Sequence, residues 1–259
     1  LAEAQFYPND YDGIWASCPA INWTQFLASG LWAVTVMNEY DHILGFHKIN
    51  AFRDAVHNSV GGKENYFQVE ERIDFDPYTI LGQKTKGGKI TEKDCLVMQE
   101  IWKGPHTTGN DFLWYSFLPG GTFWNKIIPI GSFYYPLIGK RPKCFSLVEQ
   151  YVHLAFEDPK KDLLHLKIRD FEKVFDTCIR KLGWLSCDHA DLRPFANAGG
   201  KLIIDHGLDD PLIPVEGTID YYHHMREIHG GQNFIDRFCR LYINPGDGHG
   251  NCHTNGPGM

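Results

Sequence analysis

Two short loops hold the groups that could move a proton. The first, His206-Gly207-Leu208-Asp209-Asp210, follows the apolar run in "GGKLIID" and offers an imidazole and two carboxylates. The second, in "NPGDGHGNCH", follows "FCRLYI" and offers Asp247, His249, Cys252 and His253. A carboxylate that fixes the tautomer of an imidazole makes that histidine a general base for a hydroxyl nucleophile. A plainer reading stands beside this one, because Asp, Gly and His suit turns wherever a strand ends. A third takes His249, Cys252 and His253 as a metal clip, but their spacing lacks the second ligand pair that marks a zinc site.

The elements around the loops decide whether they can meet. In "GGKLIIDHGLDDPLIP" a glycine pair, an apolar run and a proline-closed polar loop predict a buried strand over Lys201–Asp205 that leaves the core at the first loop. Pro214 suits a first helical turn, and Val215, Ile219, Tyr222 and Met225 follow at helical spacing, which predicts an amphipathic helix over 214–229. "FCRLYI" predicts the next strand. Strand, loop, helix, strand is the crossover unit of an open parallel sheet, and sites in such sheets form beyond the carboxyl ends of the strands. Both loops lie at that end. An acid followed by a histidine is also the chain order of an α/β-hydrolase, whose nucleophile comes earlier.

At the other end of the chain, residues 1–10 finish a helix, and "DGIWASCPA" predicts a short buried strand running into a loop at Cys18–Pro19. Residues 21–190 have a different texture, rich in Trp, Phe, Tyr and His, with helical stretches expected near 24–57, 91–103 and 144–157. The second of these opens on Thr91-Glu-Lys-Asp94, a capping box with Asp in place of Glu. The expected fold class is therefore α/β: part of a hydrolase-type parallel sheet, carried by 1–20 and 191–259 and interrupted by a large helical and irregular lid at 21–190.

Bulk composition excludes several classes. The 259 residues are 43% hydrophobic and 14% aromatic, enough for a real core. A formal charge of −7 without a basic stripe argues against a nucleic-acid partner. The longest apolar stretches, such as "FLASGLWAVTVM", are too short to span a membrane and read as core helix. The seven cysteines, Cys18, Cys95, Cys144, Cys178, Cys187, Cys239 and Cys252, are odd in number, so at least one lacks a partner within the chain. Buried thiols and a partly disulfide-bonded secreted protein both fit that count. The opening "LAEAQFYPND" reads as a helix entered without a cap, and further sequence upstream is expected.

"AQFYPNDYDGIWASCPAINW" resembles the segment that follows the nucleophile elbow in the tannase/feruloyl esterase family, secreted α/β-hydrolases with a large lid. The likeness continues in family order through "FDPYTILG", "CLVMQEIWKGP", "DLRPFANAGGKLIIDHGLDDPLIP" and "RLYINPGDGHGNC", and is weakest between about residues 110 and 180. The resemblance implies a carboxylic ester hydrolase, often of phenolic acid esters, that acts by a Ser-His-Asp mechanism. The family's catalytic aspartate falls at Asp210, with Asp209 its neighbour and rival, and its histidine at His249, with His253 the rival. The lid would supply the pocket for a small-molecule ester, with Trp114, Tyr115, Phe123 and Trp124 as candidate lining.

Departures from the family pattern carry their own expectations. The serine elbow would lie upstream of Leu1, and Ser17 lacks the Gly-x-Ser-x-Gly frame. The chain alone is then expected to be inactive, with the N-terminal part of the hydrolase domain as its missing partner. A non-catalytic binding or regulatory remnant is the alternative. The family's lid calcium loop is dense in Asp and Gly, and "NSVGGKENYFQVEERIDFDP" is not, so no metal or other cofactor is expected. The family cysteine that directly follows the histidine, bridged to one beside the serine, is also displaced: Gly250 and Asn251 intervene before Cys252.

Overall fold

The computed structural model describes residues 1–60, 73–121 and 145–251. After a short helix, α1 (Ala2–Phe6), comes β1 (Gly13–Ser17). Near the other end lie β4 (Lys201–Gly207), α9 (Val215–Ile228), α10 (Gln232–Ile235) and β5 (Cys239–Asn244). The strands β1, β4 and β5 form a parallel sheet with β4 in the centre. Ser17 pairs with Asp205 and Asp205 with Tyr242, so the three carboxyl ends finish side by side.

Side chains alternate across a strand, and here the two faces of the sheet differ. Leu202, Ile204 and Cys239 point into a core with Phe195, Tyr221, Met225, Ile235 and Phe238. The opposite face carries Trp15, Ile203 and Tyr242, which stay 63%, 45% and 51% exposed. Helix α8 (Arg193–Asn197) helps close the packed side through Phe195.

The middle of the chain is built from helices. α2 (Trp23–Ser29), α3 (Trp32–Glu39) and α4 (Phe46–Ser59) come first, then a two-residue hairpin, β2 (Lys84–Thr85) with β3 (Gly88–Lys89). α5 (Glu92–Lys103), α6 (Ser146–Phe156) and α7 (Ile168–Leu182) follow. The stretch expected as one helical region near 24–57 is three helices. Gly30 lies at the first break, where a Cβ would stand 2.6 Å from Val148 of α6. Helix α7 was not anticipated, although Phe171, Val174, Phe175, Cys178 and Leu182 mark one buried face at i, i+3, i+4, i+7 and i+11. Trp32 sits at the centre of this body, edge-on to His106 at 4.8 Å and Phe171 at 5.0 Å, with its indole N–H on the Glu100 carbonyl.

The capping box of α5 forms with Asp in the reciprocal position. The Thr91 hydroxyl accepts from the Asp94 N–H, and Asp94 Oδ2 accepts from the Thr91 N–H at 2.7 Å. Asp94 is buried and does more than cap: Lys48 Nζ donates to it at 2.6 Å, and His42 lies 2.8 Å away. Burial opposes ionisation of this carboxyl. The hydrogen bonds from Lys48, Thr91 and His42 outweigh that and hold its pKa below the ordinary value. The shorter glutamate-to-aspartate reach thus serves a junction between α4 and α5.

Candidate active site

The two loops singled out by their chemistry meet beyond the carboxyl ends of β4 and β5. The join is made by backbone: Leu208 N–H donates to Asn244 O at 2.9 Å and Asp209 N–H to Asp247 O at 3.0 Å. Gly207 lets the strands end this close. A Cβ there would stand 2.3 Å from Asp247 O and 2.4 Å from Gly248 O, so a side chain would push the histidine loop away. This is a requirement for close approach, visible only once the loops are side by side.

Asp210 and His249 are brought together. His249 Nδ1 lies 2.9 Å from Asp210 Oδ2, across 39 residues of sequence. Asp209 shares the loop, but Asp210 is the carboxylate that reaches the imidazole. His253 and Cys252 lie outside the described residues, as do Cys144, Phe123, Trp124 and most of the stretch examined for a calcium loop. Ser17 ends β1 with its hydroxyl on Asp205 Oδ2 at 3.1 Å, in a polar group that Asn244 joins at 3.2 Å. Five cysteines in the described residues, Cys18, Cys95, Cys178, Cys187 and Cys239, are free thiols.

Asp210 is held from every side. Its Oδ1 accepts the N–H groups of Leu212 and Ile213 at 2.8 and 2.9 Å, and its Oδ2 also faces His206 Nε2 at 3.0 Å. His206 is fully buried, and its Nδ1 meets the Thr218 hydroxyl of α9 at 2.8 Å. Sequence reading placed His206 in the first loop, but it is the inward-pointing residue of β4 itself and positions the carboxylate from below. The predicted strand stopped at Asp205, two residues short, which hid that orientation.

The electrostatics follow from these contacts. Burial pushes the Asp210 pKa up, but the hydrogen bonds and charges of His206 and His249 prevail and keep it well below the ordinary carboxylate range. Asp210 is therefore an anion in a buried position. The hydrogen bond to Asp210 raises the pKa of His249, against a smaller opposing effect of burial. The imidazolium is the form that this environment favours. The side chain of His249 is 36% exposed, and among the described residues nothing hydrogen-bonds to its Nε2. An imidazole held at one nitrogen and open at the other can exchange a proton with a bound reactant.

Beside this dyad, an apolar pocket opens against the segment that follows Asp210. Leu212 and Pro214 line it together with Phe26, Trp32, Tyr115 and Phe117. Trp114 lies around the corner, in contact range of Gly217 at the start of α9, in a smaller cleft with Ile213. Of the aromatic residues expected as pocket lining, Tyr115 and Trp114 thus stand near the acid loop.

Comparison with known proteins gives a consistent result. The family model described as "Tannase and feruloyl esterase" matches residues 140–259. A probable feruloyl esterase of Arthroderma benhamiae is 29% identical over 96% of this chain and 48% of its own length. Feruloyl esterase C of Talaromyces stipitatus is 24% identical over 92% of this chain and 44% of its own length. Among solved structures, tannin acyl hydrolase from Aspergillus niger superposes with a TM-score of 0.79 at 22% identity, covering 99% of this chain and 51% of that one. Feruloyl esterase B from Aspergillus oryzae gives 0.78 at 19% identity, covering 95% and 49%. The chain spans about half the length of the relatives it matches.

Proposed function

We propose that this chain, a member of the tannase and feruloyl esterase family, carries the acid and the base of a serine esterase, with the serine supplied by sequence outside it. The observation that carries this reading is the buried, ionised Asp210 set 2.9 Å from Nδ1 of a half-exposed His249. Asp210 holds the tautomer with the proton on Nδ1, which leaves Nε2 as the base. His249 Nε2 takes the serine proton as the oxygen attacks the ester carbonyl, and the imidazolium so formed is stabilised by Asp210. The same proton then goes to the leaving alcohol. In the second half of the cycle His249 takes a proton from the water that attacks the acyl-enzyme, then returns it to the serine oxygen as the acyl–oxygen bond breaks and the carboxylic acid is released.

The relatives' names favour phenolic acyl groups; the pocket beside Leu212 and Pro214 has aromatic walls, with room as it stands for little more than a water molecule. The test is hydrolysis of methyl ferulate and methyl gallate by the longer protein that contains the serine elbow. His249→Ala and Asp210→Ala are each expected to lower kcat by about 10⁴-fold with little change in KM. Full activity in either variant, or a rate typical of the family from this chain alone, sinks the reading.

The pKa directions add a pH dependence. His249 must be neutral to accept a proton, so its raised pKa sets the acid limb of the kcat/KM profile above the unperturbed value of about 6.5. Asp210→Asn removes the cause and is expected to move that limb to lower pH while lowering the plateau. For stability the signs oppose. The Asp210 contribution is present above about pH 4 and is lost as pH falls through its depressed pKa. The His249 contribution is present below about pH 6.5 and is lost as pH rises through its raised pKa. The ion pair therefore adds most between those two values.

A further inference from the structure

Cys18 is a buried group at this site that the proposed mechanism leaves unused. It follows β1 with a backbone φ of 41°, a left-handed conformation unusual for a residue with a side chain, and its N–H is fixed on Asp205 O at 2.7 Å. That turn sends the thiol under the histidine loop. Gly250 N–H donates to Cys18 Sγ at 3.3 Å, and Gly248 O lies 3.7 Å from it. The sulfur, a carboxylate oxygen of Asp210 and a ring nitrogen of His249 all lie within 4.8 Å of one another.

Thiolate, imidazole and carboxylate are the donors of a zinc site, and the sulfur biases such a set toward soft or borderline cations over calcium or magnesium. Bonds of about 2.0–2.3 Å to a tetrahedral ion put neighbouring donors roughly 3.3–3.8 Å apart, so the His249–Asp210 pair, now 2.9 Å apart, opens slightly and the sulfur draws closer. Asp210 is already braced by His206 and two backbone N–H groups, the kind of outer support that metal ligands rely on. The half-exposed imidazole leaves a way in for the ion.

We propose that Cys18, Asp210 and His249 form a binding site for one thiophilic divalent cation, such as zinc or cadmium, and that its occupancy withdraws His249 from proton transfer. The withdrawal rests on the esterase reading; the binding does not. Two of the other buried thiols supply a contrast within the molecule. Burial pushes Cys178 and Cys239 up to about 12, and each sits in an apolar core. Cys18 is also a protonated thiol at rest, which the cation must displace.

The experiment is titration of the 259-residue chain with cadmium, followed by the ultraviolet thiolate-to-metal charge-transfer band, with zinc affinity read against a chromophoric chelator. One equivalent is expected to saturate the band. Cys18→Ala should abolish it and weaken zinc binding by at least about tenfold, since even outer-shell partners of a metal are worth about 10–100-fold. Cys18→Ser, close in size to the native residue, should lose the band while keeping the native circular dichroism. Cys144→Ala and Cys252→Ala should keep the band. Absence of the band, its survival in Cys18→Ala, or its loss in Cys252→Ala overturns the site. In the longer protein, saturation by cadmium that leaves ester hydrolysis unchanged keeps the site but removes His249 from the reaction.

Discussion

The helical body and the sheet are stabilised in different ways. In the body, α2 to α7 surround a single large core in which Trp32, Phe52 and Phe171 are almost wholly buried. Each of these helices buries apolar residues in that core, although Leu154 of α6 stays 60% exposed. The sheet packs only one of its faces, and the other presents Trp15, Ile203 and Tyr242 to solvent. Parallel sheets are ordinarily covered on both sides, so the body reads as closed on itself and the sheet as open on one side. The site sits at the carboxyl ends of the open element, with its apolar pocket walled by the closed one. Asp210 and His249 are thus held by strand register and loop stitching, whereas the pocket walls are held by packing.

A substitution deep in the body should therefore have the largest effect on stability. Phe171→Ala removes a fully buried ring that meets Trp32 at 5.0 Å and Phe175 at 6.2 Å. A loss of about 3–5 kcal/mol is expected in chemical denaturation followed by tryptophan fluorescence. A loss below about 1 kcal/mol would mean that the body is loosely packed and that its contrast with the sheet is false.

How much of this was legible depends on distance along the chain. The β4–α9–β5 unit was readable, because an apolar run, a proline at the first helical turn and a 3.6-residue period are local signals. The capping box at Thr91 was readable for the same reason. That the two loops meet followed from topology, since one crossover puts both at one end, whereas Asp210 and His249 were singled out within them by the family resemblance. Cys18 was only a strand exit in the sequence. Its sulfur meets the histidine loop across more than two hundred residues, through a left-handed turn that no local pattern announces. The role of His206 was hidden by a strand boundary two residues early, and boundaries are what patterns give least well. The α7 periodicity is also a local signal, with Phe171, Val174, Phe175, Cys178 and Leu182 on one face.

The junction between the regions gives a smaller expected effect, confined in space. Gly207→Ala should cost about 1–3 kcal/mol, because the added methyl meets two backbone carbonyl oxygens that cannot yield without moving the His249 loop. It should also lower esterase activity in the longer protein by far more than Phe171→Ala at temperatures where both remain folded. Thermal melts paired with activity at low temperature separate the two. If Gly207→Ala keeps full activity, the stitching of the two loops does not position the base.

The smallest effect tests the open face, and it turns on a single residue of register. Ile203 and Ile204 are neighbours in β4, yet Ile203 is 45% exposed and Ile204 is fully buried against the α9 side. A strand sends successive side chains to opposite faces, so one chemical change at the two positions probes the two environments in turn. Thr keeps the β-branch and the strand preference, and it exchanges the ethyl arm of Ile for a hydroxyl. At Ile204 that hydroxyl is buried without a partner and should cost about 2–3 kcal/mol. At Ile203 it stays in water, and stability should change by no more than about 0.5 kcal/mol while binding of a hydrophobic dye falls. A cost at Ile203 approaching that at Ile204 would mean that the chain in solution covers this face with something, and the sheet would then be as closed as the helices.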